Sequence, residues 1–400
     1  MELVANPHIE NLQERYNLIR NQTQKICAGL PDEVYTIQAA EFASPAKWHL
    51  GHTTWFFETF VLKKSVPSYE IYQADFDFLF NSYYETLGNR LPRNRRGILF
   101  KPGIAEVYAY RQYVDEHIQK HVEEFDSATK NIINLGLHHE QQHQELLITD
   151  LKFLFSQHPL LPAWDPAANH EHLRLSPSFN WMKVTAGVYP IGHPGTGFCF
   201  DNELPVHPQY IPSFEIMDRP VTNAEYLEFI EEGGYKNFKY WLAEGWDWVQ
   251  KNHIEHPMHW HKSEHGEYGF YHISGLKKID PLLPAMHLNY YEAEAFAHWK
   301  GLSLPTEFEW ETAANVYPDN FTNLVWEWTQ SAYLPYPGFT IAPGAIGEYN
   351  GKFMVNQMVL RGGSFATPAG HSRTSYRNFF HPWMQWQFSG MRLIKRTDTN

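Results

Sequence analysis

The chain has 400 residues, 43% hydrophobic and 16% aromatic, and its 32 Lys and Arg against 45 Asp and Glu give a formal charge of −13. With no long basic stripe, that balance argues against nucleic acid and anionic membrane surfaces as main partners. Two cysteines, Cys27 and Cys199, are too few for a disulfide framework and favour a reducing cytoplasm; the first residues lack the basic and apolar regions of a signal peptide, and no stretch is long and apolar enough to span a bilayer.

Four hundred residues exceed one ordinary core, so two domains are expected. Leu12, Tyr16, Ile19 and Thr23 mark one face of an opening helix. Ser44-Pro45 starts a second, with Ser44 as N-cap and Pro45 in the first turn, running through Trp48-His49-Leu50-Gly51-His52-Thr53-Thr54-Trp55-Phe56-Phe57-Glu58. Residues near 104–125 and 127–157 give two more amphipathic helices. Four helices joined by connections of varied length predict an up-and-down bundle over 1–160, where facing side chains build core sites. Prolines and weak periodicity predict a linker, set at 161–177. From 178 to 400, Gly, Pro, Trp and short strand-like runs (187–192, 209–211) dominate, with short helices near 222–232 and 290–300. The second half therefore reads as an irregular α+β domain.

The fourth helix carries the most informative stretch, Gly136-Leu137-His138-His139-Glu140-Gln141-Gln142-His143-Gln144-Glu145-Leu146-Leu147. His139 and His143 leave one face a turn apart and can grip one metal ion. Leu135, Leu146, Leu147 and Leu154 place that face inward, where a polar pair needs partners. A third ligand should come from the helix at 45–62. His52 shares a stripe with Trp48, Trp55, Phe56 and Phe60; His49 is the alternative. His138, about 100° around the helix from His139, is less suited. A lone histidine is more often a satisfied core residue, but an inward pair plus a second inward histidine weakens that explanation. His139-Glu140-Gln141-Gln142-His143 also matches H-E-x-x-H, the zinc-protease pattern with Glu140 as general base. No further ligand follows His143 at protease spacing beyond Glu145 and Asp150.

The tryptophan- and histidine-rich second helix, then Phe80-Asn81-Ser82-Tyr83-Tyr84-Glu85, then His138 to Glu145, resemble the DinB-like domain of the sulfoxide synthases of ergothioneine biosynthesis. The second half resembles the formylglycine-generating-enzyme-like domain fused to it, a C-type-lectin-like fold. Its marks are Phe200-Asp201-Asn202-Glu203, Pro220-Val221-Thr222-Asn223, Leu304-Pro305-Thr306-Glu307, Val325-Trp326-Glu327-Trp328-Thr329, Arg361-Gly362-Gly363-Ser364-Phe365 and Tyr376-Arg377-Asn378-Phe379. The resemblance implies non-haem Fe(2+) held by His52, His139 and His143. It implies O2-dependent joining of a cysteine thiol to C2 of the imidazole of N-alpha-trimethylhistidine (hercynine), leaving a sulfoxide.

By motif position the resemblance further implies Tyr83 or Tyr84 as the catalytic phenol, which gives a proton or hydrogen atom. It implies Arg90 and Arg93 for the cysteine carboxylate, with Arg96 in reserve and Arg95 solvated. Gln142 would bond a substrate amino-acid group, and Asn378, Phe379 and Phe380 would lie in a C-terminal loop over the iron. Phe379 and Phe380 suit a quaternary ammonium, which has no N–H to donate. Phe380 stands where the branch using γ-glutamylcysteine has an acidic residue, so cysteine itself is favoured. No cysteine follows Cys199, which excludes formylglycine generation and makes the second domain a scaffold and lid. Asn323, Val325 and Glu327 sit where some relatives bind Ca(2+), although tryptophan packing explains them better. The resemblance leaves room for a homo-oligomer. An ovothiol-type synthase, a selenium-transferring relative, a metalloprotease and a non-catalytic binding bundle remain as alternatives.

Overall fold

The computed structural model describes residues 11–82, 88–341 and 350–396. Tyr83 and Tyr84, the phenol candidates, lie outside the described residues.

Helices α1 (Leu12–Cys27), α2 (Ala46–Phe57), α3 (Ile104–His121) and α4 (Ser127–Ser156) form the bundle. Asn11 caps α1 by accepting from the amides of Gln13 and Glu14, and Asp126 caps α4 through Thr129. Ser44 does not cap α2. Pro45 occupies the N-cap position, and the Ser44 hydroxyl instead accepts from Arg96 Nη1 at 2.8 Å. A buried guanidinium outcompetes a backbone amide for that oxygen.

Every residue of α2 is buried, so this helix is the bundle's core. Two glycines let neighbours reach it. A Cβ at Gly51 would stand 2.2 Å from the Phe80 ring, and one at Gly136 would stand 2.6 Å from Phe57. α4 therefore lies close on α2, and the Phe76–Phe80 turn closes over its other side.

In the second half, three helices begin with reciprocal caps readable in the sequence: Thr222 with Glu225, Asn289 with Glu292, Thr306 with Glu309. They open α5 (Asn223–Glu231), α7 (Tyr290–Lys300) and α8 (Glu307–Val316), while α6 (Ala243–Asn252) lies between. The α6 and α8 helices were not anticipated from the sequence. Short strands surround them. β1 (Trp181–Val184), β4 (Phe214–Met217) and β12 (Ile394–Arg396) form one antiparallel sheet, and β2 (Gly187–Ile191) pairs with β3 (His207–Ile211). β5 (Trp260–Lys262), β6 (Tyr268–His272) and β7 (Gly275–Lys278) form a meander. The last sheet runs β10 (Asn378–Phe380), β9 (Met358–Gly362), β8 (Trp326–Ala332), β11 (Ser389–Gly390). Asn378–Phe380 is thus strand, not loop, with Asn378 opposite Leu360.

The two halves share one long contact along α4. Glu145 accepts from Trp326 Nε1 at 2.7 Å, Ser364 Oγ at 2.5 Å and Thr367 Oγ1 at 2.7 Å. Burial raises the Glu145 carboxyl, and these three donors oppose it.

Candidate metal centre and substrate cavity

α4 presents different side chains in three directions. His139 and His143 face α2. Glu140 and Gln144 face α1, where Gln144 Nε2 donates to the Ile19 carbonyl. His138, Gln141 and Glu145 face the second domain, where His138 pairs with His371 at 3.2 Å. The leucines expected beside the histidine pair divide: Leu147 is buried, while Leu135, Leu146 and Leu154 are half-buried.

His52, His139 and His143 are all buried, and one ring nitrogen from each lies within 4.8 Å of the others. His52 Nδ1 lies 2.6 Å from the Phe80 carbonyl. A carbonyl only accepts, so Nδ1 carries the proton and Nε2 keeps its lone pair. That Nε2 lies 3.2 Å from His139 Nε2. Two nitrogens each about 2.1 Å from one ion stand roughly 3 Å apart at ordinary coordination angles. Trp48 stacks on His52 at 4.5 Å, and Phe56 packs on His139 at 5.0 Å, fixing both rings. Burial, then neighbouring imidazoles, drives His52 and His143 well below the usual histidine value; burial takes His139 to about 4. Three neutral imidazoles offering lone pairs to one point fit a first-row divalent metal with further positions open.

Glu140 is not a general base here. Its carboxylate is fully buried on the far side of α4, bonded by Arg20 at 2.9 Å, Thr23 at 2.6 Å and Arg111. Burial alone would raise its carboxyl, but Arg111 and Arg20 outweigh that and hold it at about 2. The H-E-x-x-H match therefore combines an inward histidine pair with a structural ion cluster. His49 is no ligand either, since both its nitrogens are engaged, with His143 at 2.9 Å and Asp150 at 3.0 Å.

The triad lines a cavity of about 330 Å³ between α2, α4 and the second domain, large enough for small substrates. Arg93, Arg96 and Arg377 line it, and Arg377 is already paired with Glu307. Arg96 is buried, stacked over Trp48 at 3.2 Å, and donates to Ser44 and Ser82. Arg95 is exposed, and Arg90 is not among the lining residues. Arg93 and Arg96 thus reach the cavity lining, and a short 3₁₀ turn at Arg93–Ile98 carries Arg96 inward.

Gln142, Asn378, Phe379 and Phe380 all line the cavity. Gln142 Nε2 donates to the Tyr376 hydroxyl at 2.6 Å. Phe379 stacks on Tyr333 at 4.1 Å, and Phe380 meets Trp386 edge-on at 5.3 Å. Among the described residues the lining carboxylates are Glu145 and Asp150. Both are engaged: Asp150 accepts from the Ser44 amide, His49 and Trp386. Trp386 was not picked out from the sequence; Tyr376 entered only within a family motif, and Asp150 only as a downstream residue at the wrong spacing for a protease ligand. Asp150 lies two turns after His143 on α4, a spacing that could have exposed it.

Glu327 is engaged by groups of the protein itself. Its oxygens accept from Arg392 and from Trp310 Nε1, and Asn323 donates to Ser372. A guanidinium already supplies the positive charge that calcium would bring.

A family model described as "Sulfatase-modifying factor enzyme 1-like domain" matches residues 177–322 and 320–397, and one described as "DinB superfamily" matches 15–147. The chain is 31% identical over 309 residues to "Hercynine oxygenase" of Mycobacterium tuberculosis, covering 66% of this chain and 71% of that protein. It is 28% identical over 451 aligned residues to "Hercynine oxygenase" of Mycolicibacterium thermoresistibile, covering 99% and 97%. It is 27% identical over 232 residues to "Ergothioneine biosynthesis protein 1" of Schizosaccharomyces pombe, covering 50% and 28%.

Proposed function

The chain belongs to the ergothioneine sulfoxide synthases, in which a DinB bundle is fused to a sulfatase-modifying-factor-like domain, and we propose that it makes hercynylcysteine sulfoxide from hercynine, cysteine and O2. It is an oxygenase of the ergothioneine pathway that oxidises hercynine. The finer reading adds the thiol and the metal. Its stoichiometry closes: the thiol S–H and the imidazole C2–H are lost, a C–S bond forms, and one O2 yields the sulfoxide oxygen and one water.

The observation that carries this reading is the position of the three-histidine cluster beside Arg93 and Arg96 in one cavity. His52, His139 and His143 would hold Fe(II). Imidazoles suit iron and zinc alike, so iron rests on family membership. A ferrous ion there would supply the redox partner for O2 and acidify the thiol.

The protein's own groups do the positioning. Arg96 offers a planar guanidinium, fixed by Trp48 and two serines, to a substrate carboxylate. Arg93 stands on the same side. Gln142 and Asn378 provide hydrogen bonds to an amino-acid group. The engaged state of Glu145 and Asp150 leaves aromatic faces to receive the trimethylammonium, and Phe380 and Trp386 fit that role. Tyr83 or Tyr84 supplies the phenolic proton or hydrogen atom.

Chemistry of this kind is tested by giving Fe(II)-loaded protein hercynine and cysteine in air and weighing the products. The cysteine sulfoxide adduct is expected. A product with γ-glutamylcysteine alone would move the chain to the dipeptide-using branch, and product only from unmethylated histidine would make it ovothiol-type. No adduct with any pair would overturn the reading.

A further inference from the structure

We propose that His49, Asp150 and Trp386 form a relay that holds His143 in its metal-binding tautomer, so that docking of the second domain tunes the metal site. This rests on the metal-centre reading above and assigns positioning residues that it does not contain.

The argument follows the protons from the outside in. Trp386 Nε1 can only donate, and it does so to Asp150 Oδ1 at 3.0 Å. Asp150 Oδ2 accepts from the Ser44 amide at 2.8 Å and faces His49 Nε2 at 3.0 Å. Facing a carboxylate, that Nε2 carries the proton. The other His49 nitrogen, Nδ1, is then the acceptor for His143 Nδ1 at 2.9 Å. His143 thereby carries its proton on Nδ1 and keeps its Nε2 lone pair for the ion that the triad would hold. The Phe80 carbonyl imposes the same tautomer on His52. Two of the three imidazoles thus have their lone pairs set by partners outside the triad, the arrangement that raises ligand basicity and fixes ring direction.

The relay crosses the molecule. His49 belongs to α2, Asp150 to α4, and Trp386 to the C-terminal segment after β10. All three are buried, and Trp386 also packs on Phe42 at 4.8 Å and Phe380 at 5.3 Å. A shift of the segment that carries the substrate wall would therefore be felt at His143. A packing role alone would need the aromatic bulk of Trp386 but not its N–H.

Co(II) is the probe, titrated into the full chain without oxygen, thiol or hercynine. His49→Phe and Asp150→Asn are expected to weaken Co(II) binding by about 10- to 100-fold and to shift its visible bands. Trp386→Phe, which keeps the ring and loses one N–H, is expected to weaken it less, in the same direction. Asp150 also holds the Ser44 amide, so if Asp150→Asn does not fold, His49→Phe and Trp386→Phe decide. Wild-type affinity and spectra in those folded variants would overturn the relay and leave the metal centre standing. A wild-type chain that takes up no Co(II) would overturn both.

Discussion

Gly51 and Phe80 touch so closely that a methyl group on residue 51 would stand 2.2 Å from the ring. The same approach delivers the Phe80 carbonyl to His52 Nδ1 at 2.6 Å. Helix propensity favours alanine over glycine by about 1 kcal/mol, whereas overpacking a buried contact costs about 1–3 kcal/mol. Gly51→Ala is therefore expected to be net destabilising and to loosen His52. Urea unfolding and Fe(II) titration check this. A variant with wild-type stability and iron affinity would contradict the link between the two residues.

Glu140 contributes to folding and not to chemistry. Its carboxyl is depressed to about 2 in the fold, against about 4.3 in an unfolded chain. A depressed carboxylate stabilises fully above the unfolded value, and that contribution is lost as pH falls toward 2. Glu140→Gln strands the buried Arg111 guanidinium, while Arg20 keeps Asp115, and is expected to cost about 3–5 kcal/mol, read as a lowered urea midpoint. The folded fraction should still bind iron. Unchanged stability with lost peptide cleavage would revive the protease reading.

Lys152 of α4 is fully buried, with Nζ 2.7 Å from His287 Nε2 and over the rings of Phe270 and Phe388. Burial drives its amine well below the usual value. Burial and Lys152 together do the same to His259 and His287, and lower His170 to about 4 and His272 to about 2. Bases depressed by folding are neutral inside, and the unfolded chain binds more protons between the two values. Stability from this cluster is complete only above the unfolded values, about 10.4 for lysine and 6.5 for histidine, and falls as pH drops. Lys152→Met is expected to raise the melting temperature at pH 7 and to flatten its decline toward pH 5. A melting temperature below wild type at both pH values would contradict this.

Arg96 and Arg90 separate in kinetics. Arg96→Lys keeps the charge but loses the planar fork over Trp48, and is expected to raise KM for the thiol substrate about 10- to 100-fold. Arg90→Ala should leave it within a few-fold of wild type. The opposite ranking in steady-state O2 uptake would return the carboxylate to Arg90.

The three-histidine cluster was legible because helical period and burial are local properties. Four-residue spacing joined His139 to His143, and the aromatic stripe of α2 turned His52 inward. Recurring motifs likewise gave the domain types. What stayed hidden depends on the path of loops or on contacts across the chain. Ser44 looked like a cap until Arg96 took its hydroxyl. Arg90 and Arg96 look alike in sequence, and only the turn at Arg93–Ile98 separates them. Trp386 reaches Asp150 across 236 positions, beyond any periodic signal. The helix at 243–252 buries only Gly245 and Val249, and that at 307–316 buries Glu307, Glu309 and Glu311 with its apolar residues, so neither shows a clear apolar period.

Anomalous diffraction at the iron edge, from crystals of the Fe(II)-loaded chain grown without oxygen, tests the central claim most directly. One peak per chain bonded to His52, His139 and His143 is the expected result. A peak elsewhere, or an ion that leaves His52 unbonded, would contradict the account.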